Sequence, residues 1–172
     1  LLALSLPVLS LRLGFSDEGN FPATSTTRQA YDLLAEGFGP GSNGPLLLVT
    51  QVPAGTDPAA LAAVSEALNA TEGVAFASPA VPNDPADTQA GLWQVIPTTS
   101  PQAEETTDLV NRIRDEVLPT ATAGTELDVA VTGFVAVSVD FSQYMAERLP
   151  IFLFAVLLLS FLLLMVVFRS IL

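Results

Sequence analysis

Residues 46–77, LLLVTQVPAGTDPAALAAVSEALNATEGVAFA, decide the fold of this chain. Leu46 to Val52 is a short β-type run. Asp57-Pro58 reads as a helix start, with a side-chain oxygen at the N-cap and a proline at the first helical position, where its missing N–H has no intrahelical partner to lose. Leu61, Val64 and Leu68 then recur at helical spacing and make one apolar stripe. Gly73 stops the helix, and Val74 to Ala77 is a second short strand.

The same grammar continues toward the C-terminus. Ser78 to Ala90 is a loop rich in Pro, Asp and Asn, and Leu92 to Ile96 alternates as a third strand. Ser100-Pro101 opens a second helix whose Thr106, Val110, Ile113 and Val117 share a face, and Pro119 is expected to end it. Leu127, Val129 and Val131 alternate with Asp128, Ala130 and Thr132, a fourth strand closed by Gly133. The order β-α-β-β-α-β is that of the ferredoxin-like split βαβ unit, an α+β fold in which two helices cover one face of a four-stranded sheet.

Beyond Gly133 the period changes. Phe134, Val137, Phe141, Tyr144/Met145 and Arg148 recur every three to four residues, the pattern of an amphipathic helix. It leads into residues 149–168, LPIFLFAVLLLSFLLLMVVF, which carry no charge and only Ser160 as a polar side chain. As a helix this run covers roughly 30 Å, the hydrocarbon thickness of a bilayer. It is apolar all round, unlike the one-sided helix of a soluble core. Arg148 and Arg169 bracket it, placed to snorkel to the two interfaces. Pro150, at the junction, either kinks one continuous rod or opens a new helix at its first turn.

On the N-terminal side, Leu1 to Leu11 (LLALSLPVLSL) is uncharged but covers only about 16 Å as a helix. It lacks the basic region and the small-residue cleavage site of a signal peptide. The expectation is the outer end of a truncated membrane helix, and so a chain that is a fragment. Three parts follow: 1–13, that helix end; 14–133, the α+β domain; and 134–172, the amphipathic lead-in with its transmembrane helix. Arg12 to Pro22 is a turn-rich exit punctuated by Asp17-Glu18-Gly19-Asn20. Thr24 to Glu36 reads as a helix with Gly37 in the position of a C′ glycine. Gly39 to Gly44 spells G-x-G-x-x-G, but a helix precedes it and a strand follows, the reverse of a dinucleotide fingerprint. These glycines read as a flexible connector.

Charge narrows the function. The 172 residues carry a net charge of −12, with all 18 carboxylates between Asp17 and Glu147. A lysine-free, acidic middle argues against nucleic acid and against docking on anionic lipid heads. The chain has no Cys and no His, which removes thiol chemistry, Cys/His zinc sites and histidine acid–base catalysis. The adjacent pairs Asp17/Glu18, Glu104/Glu105 and Asp115/Glu116 do not face each other on a helix and read as solvated surface. Asn83, Asp84 and Asp87 lack the spacing of a calcium loop. Asn69-Ala70-Thr71 fits the glycosylation triplet at a helix end. No nucleophile–base pair is visible, so the chain is read as a non-enzyme without cofactor or metal. Asp17 and Asn20 in the exit turn, with Asp140, Arg148 and Pro150 on the final helix, are the candidates for structural or coupling roles.

Two stretches together resemble a known family. GFSDEGNFPATSTTRQAYDLLAEGFGPGSNGPLLLV (14–49) and TGFVAVSVDFSQYMAERLPIFLFAVLLLSFLLLMVVFRS (132–170) look like the MMPL transporters of the resistance–nodulation–division superfamily. The resemblance implies a multi-pass cell-membrane exporter in which residues 14–148 lie mostly outside the cytoplasm as a porter domain, with wording closer to the second of two repeats. It also implies proton-driven export of lipids or other hydrophobic cargo, with membrane lipids and the remaining transmembrane helices as partners. The alternative from another class is a membrane-anchored envelope sensor or adhesion domain without transport.

Overall fold

The computed structural model describes residues 14–168. The expectations for residues 1–13 and for Arg169 lie outside the described residues. Phe15–Val139 forms one compact unit, and the residues from Asp140 onward belong to a second.

In the first unit a short turn at Glu18–Asn20 leads to α1, Thr26–Phe38, and a second turn at Pro40–Asn43 leads to β1, Leu46–Gln51. Then follow α2 (Pro58–Asn69), β2 (Val74–Ala77), β3 (Val81–Pro82) and β4 (Ala90–Pro97). Helix α3, Glu104–Arg112, continues through a π-helical turn, Ile113–Val117, into α4, Leu118–Ala121. Strand β5, Val129–Thr132, ends one residue before α5, Phe134–Phe168.

The sheet runs β2-β4-β1-β5, with β3 also on β4, and every pairing is antiparallel. Strand β4 therefore separates β1 from β2, which is the split βαβ topology read from the sequence. Alternation sets the two faces. Leu46, Leu48 and Thr50 of β1 and Trp93 and Val95 of β4 are buried beneath Val64 and Leu68 of α2 and Leu109, Val110 and Ile113 of the α3 segment. Each fully buried Leu, Val or Ile among them stabilises the fold by about 1.5–3 kcal/mol. The indole N–H of Trp93 donates to Ser65 Oγ at 3.0 Å, so the largest core side chain also has its polar atom satisfied.

Asp57 caps α2 as expected, its Oδ1 accepting from the Ala59 N–H at 2.9 Å, with Pro58 in the first turn. Four local readings are revised. Helix α1 runs through Gly37 and stops at Gly39, whose φ of 89° is a positive backbone angle that glycine adopts without strain. The loop after β2 contributes a short extra strand, because Val81 and Pro82 pair with Leu92 and Gly91. Pro119 does not end the second helix. Leu118 N–H bonds to the Ile113 carbonyl, and this wide turn makes room for a ring that an ordinary helix interior excludes. Finally, Val135, Ala136, Ser138 and Val139 are the buried residues at the start of α5, while Phe134 and Val137 of the expected stripe stay exposed. That stripe marks a different face from the one the domain uses.

In the second unit α5 continues as helix to Phe168, with Pro150 inside it. Of the two readings of that proline, the continuous helix is the one observed. By length and composition α5 is the one helix among the described residues able to cross a membrane.

Candidate functional site

The residues flagged in the exit turn come together with partners that lie far away in sequence. Asp17 is 7 % exposed, so its half of the Asp17/Glu18 pair is not solvated surface; Glu18 is exposed, as expected. The Asp17 carboxylate caps the following turn, Oδ1 accepting from the Gly19 N–H at 2.8 Å. Gln102 Nε2 also donates to Oδ1, and the Tyr31 hydroxyl donates to Oδ2 at 3.2 Å. Asn20 Nδ2 donates to Ser16 Oγ at 3.2 Å and to Gln102 Oε1 at 3.1 Å. The Gln102 amide is thus held at both its atoms, by Asp17 and by Asn20. Arg28 donates to the Gly19 carbonyl and, through Nε, to Asp32 at 2.8 Å. Three donors on one carboxylate satisfy its charge, so Asp17 can stay buried.

Burial, then the charge of Asp17 and its hydrogen bond, push the Tyr31 phenol up to about 12. A phenol so held keeps its proton across the physiological range and acts as a fixed donor. The cluster ties the turn at Asp17 to Tyr31 of α1 and to Gln102 in the loop before α3.

Glycines finish the attachment. A Cβ at Gly19 would lie 2.8 Å from Asp17 Oδ1. At Gly41 it would lie 1.9 Å from the Pro97 carbonyl oxygen, and at Gly44 2.6 Å from the Pro101 ring and 2.7 Å from Val135. Gly39–Gly44 is therefore a strap pressed against the end of β4 and the first turn of α5, not a flexible connector. Phe15 packs edge-on against Phe134 with ring centroids 5.0 Å apart. Sequence reading missed Tyr31 and Gln102, because Gln102 sits in a loop and its partner is 85 residues away. The crowded, irregular glycines were the available signal.

On α5, the Arg148 guanidinium lies 5.4 Å from the centroid of the Tyr144 ring, one turn back on the same helix. Asp140 and Pro150 lie on that helix as well. Glu104 and Glu105 occupy the first turn of α3, where the helix dipole favours them. The side chains of Asn83 and Asp84 shape their own loop. Asn83 Oδ1 accepts from the N–H groups of Gln89 and Ala90, both at 2.9 Å, and Asp84 Oδ1 from Ala86 at 2.8 Å. The Asn69 amide clamps α2 to β2, donating to the carbonyls of Ser65 and Ala77 and accepting from the Ala77 N–H.

Comparison with known proteins agrees with the architecture. Membrane protein YdfJ of Bacillus subtilis is 36 % identical over 175 residues, which cover 100 % of this chain and 23 % of the relative. Mycolic acid-containing lipids exporter MmpL11 of Mycolicibacterium smegmatis is 27 % identical over 177 residues, covering 99 % of this chain and 18 % of the relative. The chain thus spans less than a quarter of the length of these two relatives. Residues 48–172 match the MMPL family, and with the ferredoxin-like domain and the apolar helix that follows it, the chain belongs to that family.

Proposed function

We propose that this chain is the porter-domain segment, with its exit helix, of a proton-driven membrane exporter of lipids or other hydrophobic compounds. Family membership supports the reading, and so does the name of one relative as a lipid exporter. Residues 14–148 lie mostly outside the cytoplasm. Residues 149–168 contain no acid, so the carboxylates that relay protons belong to other helices of the whole protein. Asp17 and Asn20 brace the leading segment on the domain. Asp140, Arg148 and Pro150 set the course of α5.

The observation that carries this proposal is the start of α5 at Phe134, with only Gly133 between it and β5. A helix joined so directly to a strand transmits displacement better than a flexible linker does. In the full-length protein, three glycines inserted after Gln143 should abolish export of a labelled hydrophobic compound, with expression and membrane abundance unchanged. Undiminished export would make α5 a passive tether. Topology has its own test. Asp84→Cys, in a cysteine-free background, should react with a membrane-impermeant maleimide on intact cells; labelling only after lysis would place the domain inside.

A further inference from the structure

At the end of the sheet where β1 finishes and β4 begins lies a cavity of about 750 Å³, within the range of roughly 300–1,000 Å³ usual for small-molecule sites. Its walls are mainly apolar: Val52 and Pro53 after β1, Leu61 and Ala62 of α2, and Ala80 and Pro82 of the β2–β4 connection. Small side chains leave the space open, and the loop that forms one wall is held in shape by the Asn83 and Asp84 hydrogen bonds. Two carboxylates, Glu66 and Asp87, line the cavity, and no lysine or arginine is among its described lining residues. The floor includes Gly91, beside the indole of Trp93: a Cβ at Gly91 would lie 3.6 Å from Trp93 Cη2. Ser65, which accepts the hydrogen bond of that indole, lines the cavity too.

We infer that this cavity binds a cationic amphiphile, taking its hydrocarbon chain against the apolar walls and its ammonium group beside Glu66 and Asp87. Apolar walls supply affinity for a chain but no preference among head groups. The preference comes from charge: an ammonium is attracted to both carboxylates, whereas a sulfate or carboxylate head is repelled by both and meets no cation in return. The net charge of −12 adds a long-range bias of the same sign. Binding is separable from export, so its failure and that of the exporter proposal are distinct results.

The chain carries its own reporter, because Trp93 is its single tryptophan. In phosphatidylcholine vesicles at low salt, dodecyltrimethylammonium should change Trp93 emission saturably. It should bind roughly tenfold more tightly than dodecyl sulfate, about what one or two charges at partly hydrated distances sustain. The double variant Glu66→Gln, Asp87→Asn should keep the chain-length dependence but lose the head-group preference. Gly91→Leu should fill the cavity and remove the response to both probes. Ala62→Phe does the same from an exposed helix position, where folding is not at stake. Equal affinity for the two probes, a preference that survives in the double variant, or a response that survives both filling variants would overturn the inference. So would the absence of any saturable change in the unmodified chain.

Discussion

The two ends of the sheet are built on the same strands and use glycine in opposite ways. Where β1 begins, Gly41 and Gly44 let backbone and ring atoms approach closer than any Cβ allows, and at Gly133, with φ of 102°, a Cβ would lie a tight 3.2 Å from the Pro45 carbonyl oxygen. Where β1 finishes, a Cβ at Gly91 would meet only ordinary contacts of 3.5–3.7 Å, beside an open cavity. The first end is closed by hydrogen bonds that span the domain from Asp17 to Gln102. The second is shaped by a loop whose side chains bond mostly within itself. Missing side chains serve attachment at one end and leave space at the other.

Substituting glycine at each end tests that contrast most severely. Gly41→Ala should cost about 3 kcal/mol or more, because the Pro97 carbonyl belongs to the backbone and cannot swing aside. Gly91→Ala should change stability by no more than about 0.5 kcal/mol. Thermal unfolding of the whole chain in lipid vesicles, followed by Trp93 emission, reads both. Similar midpoints for the two variants would erase the distinction.

Carboxylates at the two ends should differ in the same sense, by less. Asp17→Ala leaves Tyr31, Gln102 and the Gly19 N–H without their acceptor, a loss of about 1.5–3 kcal/mol. Asp87→Asn removes one exposed charge and should stay within about 0.5 kcal/mol. A double-mutant cycle between Asp17 and Gln102 sharpens the point. Non-additivity marks a direct bond, and simple addition would show that the two residues act separately.

The contrast also explains what could be read from the sequence. The four longer strands, α2 and the buried stripe through Thr106, Val110 and Ile113 were legible because periodicity and caps are local signals. The passage of the second helix through Pro119 was not, since a π turn leaves no periodic trace and proline ordinarily stops a helix. The buried face of α5 was misread for another reason: a helix with apolar residues on two sides offers two stripes, and only packing chooses between them. The Asp17 cluster was half legible. Asp17 and Asn20 stood out as turn residues, but Gln102 reaches them through the fold. The cavity was not legible at all, because a gap between small side chains has no letter of its own.

The smallest effect expected is also the most specific to the closed end. Tyr31→Phe removes one hydrogen bond to Asp17 and should lower stability near pH 8 by about 1 kcal/mol. Raising the pH should narrow that difference. In the unfolded chain the phenol loses its proton near its ordinary value of 10.0, whereas in the folded domain it holds it to about 12. Between these values the folded state binds more protons than the unfolded state, so stability falls as pH rises. The contribution of Tyr31 is fully present below about pH 10 and is lost on the way to about pH 12. Phenylalanine has nothing to titrate, so the variant lacks this part of the alkaline loss, and its midpoint should approach that of the unmodified chain across the same window. Paired melting curves from pH 8 to the alkaline limit of the vesicles measure the convergence. A gap that stays constant with pH would mean that the Tyr31 hydroxyl does not bear on the Asp17 carboxylate, and the closed end would then rest on its glycines alone.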